Sequence, residues 1–119
     1  MQQNRQILGG TKAGRRFMGF MRVINAGDAE AIKQLAETTI TDEALEKHSA
    51  EMWAAQLQYI HTVTGGLRVQ QVLVTDEHYV AVLMEAQADG RHHVIEMYVS
   101  DDYPHKVASL VQRMAQDRG

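Results

Sequence analysis

The chain has no cysteine, which excludes a disulfide framework, thiolate chemistry and any zinc site built on sulfur. A single proline among 119 residues, with 45% hydrophobic and 23% charged side chains, excludes fibrous and disordered classes. No apolar run is long enough to cross a bilayer, and no signal-type apolar segment follows the N terminus. No membrane span is therefore expected, and the location expected is cytoplasmic, with the periplasm open because cysteine-free domains occur in both. Acidic residues are missing from the first 27 positions, where Arg5, Lys12, Arg15, Arg16 and Arg22 precede Asp28. There is no glycine-rich phosphate loop, since Gly9-Gly10 and Gly65-Gly66 lack a strand-to-helix setting and a following Lys-Ser/Thr. No nucleophile elbow or Ser-His-Asp pattern occurs either.

What is present is first of all a hairpin. Asp89-Gly90 is a strong two-residue turn signal, because both residues tolerate positive φ. Pairing across it sets Ala88 opposite Arg91, Met84 opposite Ile95 and Val80 opposite Val99. Alternation then gives one apolar face of Val80, Val82, Met84, Ile95, Met97 and Val99. The other face mixes Tyr79, Ala81, Leu83, Glu85, Gln87, His92, Val94, Glu96 and Tyr98. Upstream, residues 1–13 show no period and read as a flexible basic leader, leaving 14–119 as a single domain. Phe17, Phe20, Met21 and Ile24 mark a helix closed by Asn25-Ala26-Gly27. Asp28 caps a second helix with Ala29, Ile32 and Leu35 facing inward. A third, about 44–63, starts from Thr41 or Asp42 and stops at Gly65-Gly66. It carries the stripe Leu45, His48, Met52, Ala55, Tyr59 beside Trp53, Leu57, Ile60, wide enough to lie across a sheet. Strands are expected at 67–74, 78–87 and 91–100, whereas 105–114 has helical spacing (Val107, Leu110, Val111, Met114) together with strand-like valine content.

Three helices followed by an antiparallel meander, the junction Phe20-Met21-Arg22-Val23-Ile24-Asn25-Ala26-Gly27-Asp28-Ala29-Glu30-Ala31, the strand entry Gly65-Gly66-Leu67-Arg68-Val69 and Pro104-His105-Lys106-Val107 together resemble the NTF2-like, or SnoaL-like, superfamily. The pattern is closest to its small domains fused to serine hydrolases or proteases. The resemblance implies an α+β, cystatin-like cone, three N-terminal helices on a curved four-stranded antiparallel sheet, and makes 105–113 its last strand. Enzymes of that superfamily place an Asp, His or Tyr inside the cone, a set this chain does not reproduce.

The function expected is accordingly a non-catalytic binding or accessory module with a small apolar pocket between the long helix and the sheet. Its lining candidates are His48, Met52, Trp53, Tyr59, Met84, His93 and Met97, aromatic and polar groups that could orient a small apolar ligand. The alternatives are a small isomerase or lyase, with His48 or His93 as base and Tyr59 as oxyanion donor, and an interaction module acting through the basic N-terminal arm. No catalytic residue, cofactor or metal is assigned, because His92 and His93 point to opposite faces of one strand. Glu85 and Glu96 fall in offset pairs and read as rim residues. A solvated helix face explains the basic segment, so nucleic acid is not expected as a partner. A homodimer is expected, formed through Ala81, Leu83, Val94, Glu96 and Tyr98 on the mixed hairpin face.

Overall fold

The computed structural model describes residues 2–115; residue 1 of the expected leader and 116–119 of the expected domain lie outside the described residues. The protein is α+β. Five helices, α1 (Gln2–Gly9), α2 (Lys12–Ala26), α3 (Ala29–Thr39), α4 (Asp42–Lys47) and α5 (Ala50–Thr64), precede strands β1 (Leu67–Thr75), β2 (Tyr79–Ala86), β3 (His92–Val99) and β4 (Val107–Met114). The strands form one antiparallel sheet in the order β1-β2-β3-β4. Residues 107–114 are thus a strand, against their helical spacing.

The expectation of three helices is corrected to five at two places. In the leader, residues 2–9 are helical although only Ile7 and Leu8 are apolar there. Leu8, 2% exposed, seats α1 in the core. The α1–α2 corner is tight enough that a Cβ on Gly14 would strike the backbone of Leu8. Thr11 caps α2 by accepting from the Gly14 amide and bonds the Thr75 hydroxyl at 2.8 Å, tying the corner to β1. The expected long helix is also broken at His48-Ser49, where both residues are extended. Ser49 starts α5 as its N-cap, accepting from the Met52 amide. A side-chain oxygen that satisfies an unpaired helix amide is worth about 1 kcal/mol, enough to favour a restart over continuation.

The Asn25-Ala26-Gly27-Asp28 junction has a physical cause at three of its positions. Asn25 acts as a fragment of strand: its Nδ2 donates to the Leu67 carbonyl at 2.8 Å, and its Oδ1 accepts from the Leu67 amide at 2.9 Å. Gly27 ends α2 in the left-handed region at φ 70, where the His61 ring leaves no room for a Cβ. Asp28 accepts from the Glu30 and Ala31 amides and starts α3. Of the inward face expected for α3, Ile32 is buried and Leu35 partly so, but Ala29 is exposed and Ala36 takes its place.

The hairpin faces are as expected: Val80, Val82, Met84, Ile95, Met97 and Val99 are all buried, packed with the helices in one core. The register is corrected by two residues. Met84 pairs with His93, Val82 with Ile95 and Val80 with Met97, and Ala86 donates to the Arg91 carbonyl. The loop is therefore Gln87–Gly90, with positive φ at Gly90 and not at Asp89. A two-residue turn would need the Ala88 backbone for β3, but the Ala88 amide donates to Thr64 O and the Gln87 amide to Gly66 O. A slip of two keeps every side chain on its face.

Candidate functional site

Helix α2 touches β1, β2 and β3, whereas α5 packs mainly on α3 and α2. The inner face of β4 is consequently left under an overhang of α5, and a cavity of about 280 Å³ lies between them. The spacing of Trp53, Leu57 and Ile60 turns one face of α5 inward; Leu57 and Ile60 are buried and Trp53 is partly buried. Strand alternation supplies Leu110 and Gln112 as the floor. Met52 and Gln56 stand at the side, and His48, at the break between α4 and α5, stands at the end. A wider depression of about 610 Å³ adjoins it, sharing His48, Trp53 and Leu110 and running toward Lys47 and Asp101.

Polar groups converge behind the floor. The Gln112 amide nitrogen lies 2.6 Å from His93 Nδ1; an amide nitrogen only donates, so Nδ1 is the acceptor of this bond. His93 is 4% exposed, and this bond is what satisfies it among apolar neighbours. Trp53 Nε1 is sealed from water and has no hydrogen-bond partner among the described residues.

The structure brings His48, Met52 and Trp53 together at the cavity and separates the other lining candidates from it. Tyr59 is 66% exposed on the solvent side of α5, because the stripe of His48, Met52, Ala55 and Tyr59 lies outside the core stripe. Met84 and Met97 are fully buried in the core, and His93 is reached only through Gln112. Sequence reasoning missed Leu110 and Gln112: the resemblance implied a strand at 105–113, as β4 is, but its alternation was not carried through to the cavity floor. It also missed Gln56, one turn from Met52, which helical spacing could have revealed.

On the opposite face of the sheet the five interface candidates do meet, Leu83 opposite Val94 and Ala81 opposite Glu96. Ala81 and Val94 are already buried within the chain, however, beneath taller neighbours, so exposed apolar surface comes instead from Tyr98, Val74 and Val111 with partly buried Leu83. Tyr79 and Tyr98 pack with ring centroids 4.5 Å apart. The Tyr79 hydroxyl donates to Glu96 Oε1 at 2.6 Å, and Arg113 holds Oε2 at 3.2 Å. The bond to Glu96 pushes the Tyr79 phenol up to about 12. Reciprocally, Tyr79 and then Arg113 hold the Glu96 carboxyl below the usual carboxylate range.

Histidine and carboxylate side chains form no group of three or more able to hold a metal among the described residues. No described helix is long and apolar enough to cross a membrane. No family model, curated protein or solved structure matches the chain.

Proposed function

We propose that the protein is a ligand-binding accessory module of the NTF2-like kind, holding a small apolar molecule between α5 and β4. The observation that carries this reading is the cavity, whose walls are the apolar Met52, Leu57, Ile60 and Leu110, the Trp53 ring, and three polar handles, His48, Gln56 and Gln112. Apolar walls with a few polar groups are what orient a bound molecule. The order of helices and antiparallel strands and the Asn25–Asp28 junction support the family assignment. Binding is favoured over turnover because the isomerase reading needs His48 or His93 to share one substrate with Tyr59, and Tyr59 lies outside the cavity.

The sole tryptophan lines the site, so its fluorescence reports occupancy. Native mass spectrometry of protein purified from cells is expected to show a bound small molecule, absent from a folded Leu110→Trp variant that fills the cavity. Apolar probes are expected to change wild-type emission. If wild type carries nothing, and no probe changes its emission, the reading is wrong.

A second element of the proposal is a two-fold dimer through the outer sheet face. Tyr98, Val74 and Val111 are each close to half exposed there; Arg68 and Glu85 lie at one end of the face, and Glu96, which stands between Val74 and Val111, is tied to Tyr79 and Arg113 within the chain. Leu83→Asp with Tyr98→Asp sets like charges against their symmetry mates and is expected to give a folded monomer by light scattering. A wild type that is monomeric at tens of micromolar, about the range where weak interfaces still associate, refutes the dimer.

A further inference from the structure

The five cations that open the sequence are on ordered helices, and none of them forms an ion pair among the described residues. Three of them, Lys12, Arg15 and Arg16, form one wall of a concavity of about 330 Å³ whose other wall is Tyr103-Pro104-His105. This site lies apart from the cavity under α5 and shares no residue with it.

The second wall is held in place. Arg16 donates to the carbonyls of both Pro104 and His105, and the His105 ring nitrogen Nδ1 donates to Ser100 O at 2.9 Å. His105 is also the one described non-glycine residue with positive φ, at 62. A side chain kept in that sparsely populated region costs about 1 kcal/mol or more and persists when its surroundings enforce it, often at ligand sites. What this arrangement presents is an aromatic ring left 89% exposed, Tyr103, edge-on to His105. Opposite it stand an ammonium and a guanidinium that no carboxylate neutralises. Of the loop's acids, Asp101 lies 3.2 Å from His78, and neither it nor Asp102 lines the concavity.

Cations on one side and a free aromatic face on the other fit a molecule with an anionic head joined to a flat ring. We propose that this concavity binds an aryl phosphate or a closely related phosphate monoester, with Lys12 and Arg15 on the phosphate oxygens and Tyr103 against the ring. Arginine and lysine meet phosphate with charge-assisted hydrogen bonds, and ring stacking adds selectivity for the organic part. Arg16 is the positioning residue, since its Nε and Nη2 donors are spent on the loop, whereas Arg15 spends Nη1 on the Gly9 carbonyl at 2.9 Å and its remaining donors have no partner among the described residues.

The test is calorimetric titration of the full chain at neutral pH with phenyl phosphate and with inorganic phosphate, and co-sedimentation with phosphatidylcholine vesicles containing phosphatidic acid. Phenyl phosphate is expected to bind one to one and about tenfold more tightly than inorganic phosphate. Lys12→Ala with Arg15→Ala is expected to weaken it by about tenfold or more, and Tyr103→Ala to abolish the preference for the phenyl ester. Arg15 and Tyr103 are exposed and Lys12 is half-buried, and circular dichroism checks that the variants fold. No binding of phenyl phosphate at millimolar concentration, affinity indifferent to the Lys12 and Arg15 changes, or association with vesicles alone overturns the proposal.

Discussion

Removing the side-chain amide of Asn25 tests whether the α2–β1 clamp is as important as its geometry indicates. In Asn25→Ala both partners on Leu67 remain, a residue only 2% exposed, so one N–H and one C=O lose hydrogen bonds of 2.9 and 2.8 Å together. A buried polar group left unpaired costs about 1–3 kcal/mol. Two such groups, with some water entering beside the half-buried Asn25, give an expected loss of about 2–4 kcal/mol. At roughly 4 °C per kcal/mol for a domain of this size, that is a fall in Tm of about 8–16 °C. Urea denaturation followed by far-ultraviolet circular dichroism is the assay, with an unchanged slope showing that the loss is one of stability and not of compactness. Asn25→Asp keeps the acceptor for the Leu67 amide but sets a carboxylate oxygen against the Leu67 carbonyl, so it is expected to fall well below wild type too. A loss for Asn25→Ala below about 0.5 kcal/mol, the range of ordinary surface changes, refutes the clamp.

Three further outcomes follow from the packing and the outer-face network. Gly14→Ala drives a methyl into the Leu8 backbone and is expected to unseat α1, seen as faster amide exchange over 2–9 with the sheet unaffected; protection equal to wild type contradicts the close approach. Tyr79→Phe leaves Glu96 with Arg113 alone, and is expected to cost about 1–2 kcal/mol at neutral pH and to raise the Glu96 carboxyl toward its usual range by carbon NMR. Because that carboxyl is depressed in the folded state, its contribution is complete above the ordinary carboxylate pKa and disappears as pH falls through the lowered value, so the substitution flattens the acid limb of the stability curve. Tyr79 itself keeps its proton in the folded chain from about 10, the ordinary value, up to about 12. Stability is thus expected to be full below that window and to decline through it, and an ultraviolet titration in which every tyrosine ionises near 10 contradicts the Glu96 bond.

Much of the fold was legible where local chemistry and tertiary packing agree. Gly27 and Asp28 mark the α2–α3 junction in the sequence and do so in the structure, and the alternation from Val80 to Val99 identifies the buried face of the hairpin. Reading failed where a contact distant in sequence decides the outcome. Nothing periodic in Gln2–Gly9 announces a helix, because one side chain, Leu8, does the anchoring. The break at His48-Ser49 was legible in principle, since Ser49 followed by Glu51 has the form of a helix start, but the continuous stripe across it concealed the cap. The site suffered from the same cause: three of its residues were found along one helix, whereas Leu110 and Gln112 come from a strand whose alternation was not carried through to the cavity floor.

The docking of the hairpin loop onto the end of α5 has a consequence for the order of folding. Asp89-Gly90 locally favours a two-residue turn, while the pairing adopted needs Thr64 and Gly66 to take the amides of Ala88 and Gln87. A free peptide of residues 79–99 lacks those acceptors and is expected to populate the pairing of Met84 with Ile95. In the whole chain the two pairings are expected to compete until α5 and β1 are in place, because both bury the same faces and early hydrophobic collapse does not choose between them. The register of β3 is then expected to settle late in folding. Thr64, Gly65 and Gly66 set it from outside the hairpin, and substitutions that disturb their turn are expected to slow the last step of folding more than hairpin formation itself.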